Sequence, residues 1–224
     1  IVFRDLSEEK KLDEAKSSFI SVASHQLRTP LTAVRWYTEM LTSGDAGPIN
    51  EDQKNFLVQI YSGVLRLSET LNTLLSLARI EGGRVKVTPI AINMVDLTND
   101  ILTELAPLSN PKRTKIYIKE QNAGPFIAYA DTTILRQVIM NLLSNAIRYT
   151  DNEGIIEVQI SKDSGNILFV VKDNGIGIPE KSKERIFERF FRADNAITKA
   201  PDGSGLGLTL VKSLVEIWRG KAWF

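Results

Sequence analysis

The only histidine of the chain, His25, lies in Phe19-Ile-Ser-Val-Ala-Ser-His-Gln-Leu-Arg-Thr-Pro-Leu31, beside a proline five residues on. A neutral imidazole is a nucleophile near pH 7 and needs no activation by ionisation. More than a hundred residues downstream stand three further groupings that could do chemistry. Asn141, Asn145, Arg148 and Tyr149 are spaced i, i+4, i+7 and i+8, which is one face of a helix. Carboxamide oxygens suit the octahedral oxygen shell of Mg²⁺, and a guanidinium suits phosphate oxygens. Asp173-Asn-Gly-Ile-Gly-Ile-Pro179 sets a carboxylate, able to accept from a base amino group, beside Gly175 and Gly177, which let backbone approach a ligand closely. Gly203-Ser-Gly-Leu-Gly-Leu208 opens an apolar segment, the pattern of an anion site at a helix N-terminus. Taken singly, each grouping also reads as something ordinary: a solvated helix face, an Asn-Gly turn, a generic glycine loop. Gly203–Leu208 lacks the Lys-Ser or Lys-Thr of a P-loop, and no βαβ unit surrounds it as a dinucleotide fingerprint requires.

The elements that must position these residues follow from periodicity. Leu12, Ala15, Phe19, Val22, Leu27, Leu31 and Val34 recur near the helical period, predicting a first helix over about 5–43 with Asp5 or Ser7 as cap. Pro30 lacks an N–H and crowds the carbonyl of Gln26, so a bend beside His25 is expected. Ser43-Gly-Asp-Ala-Gly-Pro-Ile-Asn50 is a turn, and a second helix is expected over 51–81. Along it Leu57, Ile60, Val64, Leu67, Leu71, Leu74 and Ala78 keep a heptad spacing. Two long helices on a short turn form an antiparallel hairpin, and two-fold pairing into a four-helix bundle would bury its seam; the alternative is a monomeric hairpin folded onto the rest of the chain.

Beyond Gly82-Gly83 the pattern changes. Short β-like runs (Val85–Val87, Lys115–Lys119, Ile155–Ile160, Ile167–Lys172) alternate with helical ones (Met94–Leu108, Thr132–Arg148, Leu206–Trp218). Ile156, Val158 and Ile160 alternate as a half-buried strand would, whereas the continuously apolar Ile167–Val171 reads as more central. The expected class is α+β, a sheet with helices on one face, and 178–204 reads as a long mobile loop. The composition is globular, 43% hydrophobic and 25% charged, with a net charge of +1 that argues against a nucleic-acid partner. Without cysteine the chain has no disulfide or thiolate metal site, and no apolar run approaches a bilayer span.

In their order and spacing the motifs together resemble the catalytic core of a sensor histidine kinase of two-component systems, over essentially the whole chain. Phe19–Leu31 matches that family's H-box, Asn141–Thr150 its N-box, Asp173–Pro179 its G1 box, Ile186-Phe-Glu-Arg-Phe-Phe-Arg192 its F-box and Gly203–Leu208 its G2 box. The resemblance implies a dimerisation and histidine phosphotransfer domain over 1–82, with 1–15 the end of an upstream signalling helix. A Bergerat-type ATP-binding α/β sandwich would follow over 83–224, without its last strand or strands. It implies ATP and Mg²⁺, a homodimer, and a response regulator receiver domain as partner. It also implies a cytoplasmic portion whose membrane anchor, if any, lies in N-terminal sensor segments.

Carried over by residue, the resemblance makes His25 the phosphoryl acceptor and gives Mg²⁺ to Asn145 and Asn141. Arg148 would contact phosphates, Tyr149 would border adenine, and Asp173 would recognise its amino group, with Gly175, Gly177 and Ile178 lining the same site. Gly203, Ser204, Gly205, Leu206, Gly207 and Leu208 would anchor a lid over the phosphates. Phe187, Phe190 and Phe191 would tether that lid, and Arg189 or Arg192 would reach the γ-phosphate. The short Gly82-Gly83 link suits a swing of one domain toward the other.

Two positions near His25 bear on mechanism. The family usually has an acidic residue after the histidine; here it is Gln26, which can orient the ring but cannot take its proton. Slowed autophosphorylation is expected. Thr29, four residues on, would position water for dephosphorylating the regulator. The expected function is therefore a kinase that phosphorylates His25, passes the group to an aspartate of a regulator and dephosphorylates that regulator. The alternatives are a phosphatase-dominant or pseudokinase nucleotide-binding signalling dimer and a Bergerat-fold ATPase of the gyrase or MutL kind. Those ATPases carry a water-activating glutamate where Asn141 stands.

Overall fold

A computed structural model describes residues 7–121 and 125–224, with side chains at 7–21, 24, 25 and 121 outside the description; the expected cap Asp5 also lies outside it. The chain divides into two compact units, 1–85 and 86–224.

The first unit is a helical hairpin. Helix α1 (Ser7–Ser43) continues through Pro30 without a break, so the proline costs backbone bonding at one turn but does not end the helix. The turn relies on two positive-φ glycines, Gly44 (φ 86) and Gly47 (φ 105), where a side chain would be strained. Helix α2 (Glu51–Glu81) begins with a capping box: Asn50 Oδ1 accepts from the Gln53 N–H at 2.8 Å, and the Gln53 side chain accepts from the Asn50 N–H at 2.8 Å. Of the heptad positions, Val64, Leu71 and Ala78 are buried, whereas Ile60 and Leu67 stay 47% and 54% exposed. Leu75 and Leu77, off that register, are buried. Val34, Trp36, Tyr37, Phe56 and Val58 also expose large apolar surface in the single chain.

The second unit is α+β. Its elements run β1 (Ile90–Asn93), α3 (Met94–Ser109), β2 (Lys115–Gln121), β3 (Ile127–Ala130), α4 (Thr132–Tyr149), β4 (Ile155–Asp163), β5 (Asn166–Asp173), a 3₁₀ turn (Glu180–Arg185), α5 (Asp194–Lys199) and α6 (Gly207–Ile217). Strands β1 and β3 pair antiparallel as a separate ribbon, Ile90 opposite Ala130. The larger sheet has the order β2-β4-β5, with β2 parallel and β5 antiparallel to β4. Ile101, Ile139, Leu143, Ile147, Ile156, Val158 and Ile160 are at most 1% exposed and form the core between helices and sheet.

Four expectations need correction. Val85–Val87 is not a strand, while two four-residue strands, β1 and β3, appear where none was expected. The described strands form two sheets, not one. Strand β4, not β5, is central among the described strands; every residue of Ile167–Val171 is half-buried. A continuous apolar run reports partial cover on both faces of a strand and says nothing about bonding at its edges. Lastly, 178–204 holds the 3₁₀ turn and α5 and is tied down by side chains, as described next.

Candidate functional site

In the first unit, the backbone of His25 lies within α1, and its side chain is outside the described residues. Gln26 and Thr29 are exposed. Four residues apart, His25 and Thr29 occupy the same helix face by register. Thr29 lines an open groove with Arg28, Thr32, Ala33 and Trp36, and Arg28 Nη2 donates to Asn72 Oδ1 across the hairpin at 3.0 Å.

In the second unit, helix α4 carries the amide face. Asp131 starts it, its Oδ1 accepting from the N–H groups of Thr133 (3.0 Å) and Ile134 (3.2 Å). Its Oδ2 takes the Thr88 N–H at 3.1 Å. These amide donors, Thr88 first, hold the Asp131 carboxyl below its ordinary 3.8. The opposite face of α4 is core (Leu135, Val138, Ile139, Leu143, Ala146, Ile147), which leaves Asn141, Asn145, Arg148 and Tyr149 half-buried.

Asn141 spends its amide N–H on the Gln137 carbonyl at 2.8 Å, so its Oδ1 remains as acceptor. That oxygen faces Gly207 at the start of α6: a Cβ on Gly207 would lie 2.8 Å from Asn141 Oδ1 and 3.8 Å from Asn145 Nδ2. The glycine loop is therefore seated directly on the amide face.

The Asp173–Pro179 turn docks on the end of the same helix. The Ile176 N–H donates to the Tyr149 carbonyl at 3.2 Å. A Cβ on Gly175 would stand 2.4 Å from that carbonyl oxygen, so only glycine fits. Asp173 Oδ1 accepts from the Gly175 N–H at 2.9 Å, and the carboxylate is exposed. Gly177 has φ +63 with open space around it, and Ile178 is 41% exposed.

The segment after the turn is anchored over this region. Asn195 Nδ2 donates to the carbonyls of Ile176 (3.2 Å) and Gly177 (3.0 Å). Lys181 pairs with Asp194 at 2.7 Å, and Lys199 pairs with Asp151 just beyond α4. The hydrogen bond and charge of Lys199 pull the Asp151 carboxyl below its ordinary value.

Arg192 has another occupation than the one expected. Nη1 donates to the Pro201 carbonyl at 2.8 Å, and Nη2 to the carbonyls of Ala196 (2.8 Å) and Ala200. A guanidinium binds carbonyls as readily as phosphate oxygens, and here it closes the end of α5. It also packs on Gly203, whose Cβ would lie 3.0 Å from its central carbon. Arg189 is exposed. Phe191 lies beneath Arg185 (4.2 Å to the ring centroid) and Phe187 packs against Phe224 (6.2 Å between centroids), whereas Phe190 is 61% exposed. Gly205, at φ +71, comes within 3.0 Å of the Phe190 and Phe191 backbone at its would-be Cβ. Ser204 accepts from the Leu206 N–H at 3.4 Å, Leu206 is buried, and Leu208 is half-buried on the first turn of α6.

Two contributors were missed in the sequence. Asn195 is one. The other is Lys112, whose ammonium binds three carbonyls at the end of α4. A single polar residue, Asn195 in the six-residue α5 or Lys112 in a turn, carries no periodic or motif signal that could have singled it out.

The donors fit the groups expected. The carboxamide oxygens of Asn141 and Asn145, with phosphates and water, would supply the hard oxygens that Mg²⁺ takes; among the described residues no group of three His, Cys, Asp or Glu could hold a metal ion. No helix of the described residues is long and apolar enough to cross a membrane.

Comparison with known proteins agrees with this layout. Residues 15–83 match the His Kinase A (phospho-acceptor) domain family, and 130–224 match the histidine kinase-, DNA gyrase B-, and HSP90-like ATPase family. The circadian input-output histidine kinase CikA of Synechococcus elongatus is 33% identical over 92% of this chain and 28% of its own length. The sensor protein GacS of Pseudomonas syringae is 31% identical over 97% of this chain and 24% of its own. The sensor histidine kinase WalK of Bacillus subtilis is 30% identical over 99% and 36%. The chain thus spans about a quarter to a third of these curated relatives. Among solved structures, full-length ShkA in complex with AMPPNP superimposes with a TM-score of 0.71 at 23% identity, over 89% of this chain and 40% of that one. The histidine kinase ThkA in complex with the response regulator TrrA gives 0.63 at 20% identity, over 98% and 63%. At these identities the two structures speak for the fold. With both of its domain families matched, the chain belongs to the sensor histidine kinases.

Proposed function

We propose that this chain is the phosphotransfer core of a two-component sensor kinase: it binds Mg-ATP on the second unit, phosphorylates His25, and passes the phosphoryl group to an aspartate of a response regulator. The observation that carries this reading is that the Asp173–Pro179 turn and the Gly203–Leu208 loop, far apart in sequence from the Asn141–Thr150 motif, both seat on the C-terminal half of α4 that carries it. Gly207 seats on Asn141, Gly175 on the Tyr149 carbonyl, and the Ile176 N–H on that same carbonyl. Such a surface of amide oxygens, a guanidinium and bare backbone suits a polyphosphate far better than an apolar ligand.

Phosphoryl transfer asks a protein mainly for positioning and charge neutralisation. Asn141 and Asn145 would hold Mg²⁺, which offsets charge on the phosphate oxygens when bound. Arg148 and the Gly203–Leu208 backbone would hold the phosphates, with Asp173 and Tyr149 at the adenine. A ring nitrogen of His25 attacks the γ-phosphorus, an N–P bond forms, the bond to the bridging oxygen breaks, and ADP leaves. The ring's remaining proton must then depart. Gln26 cannot take it, so water receives it more slowly than a carboxylate would. Transfer onward breaks the N–P bond, makes an acyl phosphate on the regulator's aspartate and, with a proton taken back from water, restores neutral His25. Thr29 and Gln26, both exposed on the same unit, would orient water for the reverse duty of dephosphorylating that regulator. The relatives' names and the regulator complex of ThkA support this reading.

A hydrolytic ATPase is the rival. It needs a base for water where Asn141 stands, and an amide cannot serve. Pairing of two chains through the open heptad positions Ile60 and Leu67 would complete the four-helix bundle. Incubation with γ-labelled Mg-ATP tests the whole reading. Acid-labile label on the protein should exceed free phosphate released, and His25→Ala should remove the label without weakening nucleotide binding. Free phosphate as the main product would favour the ATPase; nucleotide binding with neither product would favour a signalling relay.

A further inference from the structure

The C-terminal end of α4 is closed by a side chain from another part of the fold. The last four carbonyls of a helix have no partner inside it. Here the Ala146 carbonyl takes the Thr150 N–H at 3.1 Å, and the Tyr149 carbonyl takes the Ile176 N–H at 3.2 Å. The two between them are met by Lys112, in the turn after α3: Nζ donates to the Ile147 carbonyl at 2.8 Å, to Arg148 at 2.9 Å, and also to Thr150 at 2.9 Å. An ammonium has three N–H donors, and all three are used. The loops around it are knit as well, the Glu153 N–H donating to the Lys112 carbonyl at 2.7 Å and the Lys115 N–H to Gly154 at 2.9 Å.

This end of the helix is also the end that carries the chemistry. Arg148 and Tyr149 project from it, and the Asp173–Gly177 turn hangs on the Tyr149 carbonyl. Resting on the nucleotide-site reading above, we infer that Lys112 is a positioning residue for nucleotide binding: by tying three consecutive-turn carbonyls together it fixes Arg148, Tyr149 and the turn that holds Asp173 in one arrangement. The positive charge at a helix C-terminus is itself favourable. Burial, and after it the Lys199 charge, lower the lysine's pKa, while Asp151 opposes them. No neighbouring side chain duplicates these three bonds among the described residues.

Without the lysine the carbonyls would turn to water, and the last turn would open more often than the rest of the helix. Loss of a group that orients ligands costs binding about tenfold or more in comparable settings. The test uses the 224-residue chain with three substitutions, each assayed well below its melting temperature by calorimetry with Mg-ATP. Lys112→Met removes all three donors. Lys112→Arg keeps the charge, but the three carbonyls surround a single nitrogen, and no one nitrogen of a guanidinium carries three N–H donors. Leu105→Ala, in the core and 8% exposed, lowers stability without touching the site.

Lys112→Met should bind about tenfold more weakly and Lys112→Arg about threefold more weakly. Leu105→Ala should match wild type at an equal or larger loss in melting temperature. Hydrogen exchange at the Ile176 amide should speed up in Lys112→Met alone. Wild-type affinity in both lysine variants, or an equal loss in Leu105→Ala, would overturn the inference by showing that Lys112 only supports the fold. If Lys112→Met does not fold, Lys112→Arg decides alone, and wild-type affinity there would overturn it. A wild-type chain that binds no Mg-ATP would instead refute the nucleotide-site reading itself.

Discussion

Gln26 and Gly207 are the two residues at which the account is most exposed. With glutamine after the proposed phosphoacceptor, the next side chain in sequence cannot take the imidazole proton. General-base help is typically worth roughly 10²–10⁴-fold. Gln26→Glu should therefore raise the rate of His25 phosphorylation by at least about tenfold with little change in nucleotide affinity; rapid-quench labelling measures it, and an unchanged rate would show that the proton never limits. At Gly207 a methyl group would press on Asn141 Oδ1 from 2.8 Å. A side-chain amide can rotate away, so Gly207→Ala should cost little stability, yet that rotation withdraws the oxygen expected to hold Mg²⁺. Calorimetry should show Mg-ATP binding weakened by about tenfold, and unchanged affinity would remove Asn141 from the metal's shell. The candidate residues were legible because the motifs, ordinary one by one, fall in an order and spacing that together resemble one family. Lys112 was not, since a lysine in a turn after a proline reads as a solvated surface residue. Of the two arginines expected near the γ-phosphate, Arg192 meets the Ala196, Ala200 and Pro201 carbonyls, partners that guanidinium chemistry alone does not separate from phosphate oxygens.

Among the elements, α4 carries most of the site, and its start should be as consequential as its end. Asp131 accepts three backbone N–H groups, so Asp131→Ala should cost about 1 kcal/mol or somewhat more in urea unfolding at pH 7. Because the folded pKa lies below the ordinary 3.8, this contribution is fully present above that value and is lost as pH falls through it. The gap between wild type and variant should therefore narrow below about pH 4, and a gap of constant size from pH 7 to pH 3 would contradict the cap's charged role. Long helices were readable from their 3.6-residue period and their caps, as the Asn50–Gln53 box shows. Four-residue strands are too short to display a period, which is why β1 and β3 went unseen and Val85–Val87 was taken for a strand. The apolar run of β5 was read as centrality, although the central position belongs to β4, whose Ile156, Val158 and Ile160 are fully buried.

At the scale of the whole molecule, the chain joins a helical hairpin of the His Kinase A family to an α+β unit of the histidine kinase-, DNA gyrase B-, and HSP90-like ATPase family. The hairpin exposes Ile60, Leu67, Phe56 and Val58 in the single chain, apolar surface that a second copy would cover in a four-helix bundle. Sedimentation equilibrium should find a dimer, and Leu67→Glu should shift it toward monomer; a monomeric wild type at micromolar concentration would refute the bundle. Covalent capture of phosphate by His25 is the central step of the proposed function, and mass spectrometry at neutral pH addresses it directly. After exposure to Mg-ATP, the peptide spanning Phe19–Leu31 should carry one phosphoryl group on His25, absent from His25→Ala. A protein that binds and turns over Mg-ATP while that peptide stays unmodified would contradict the account.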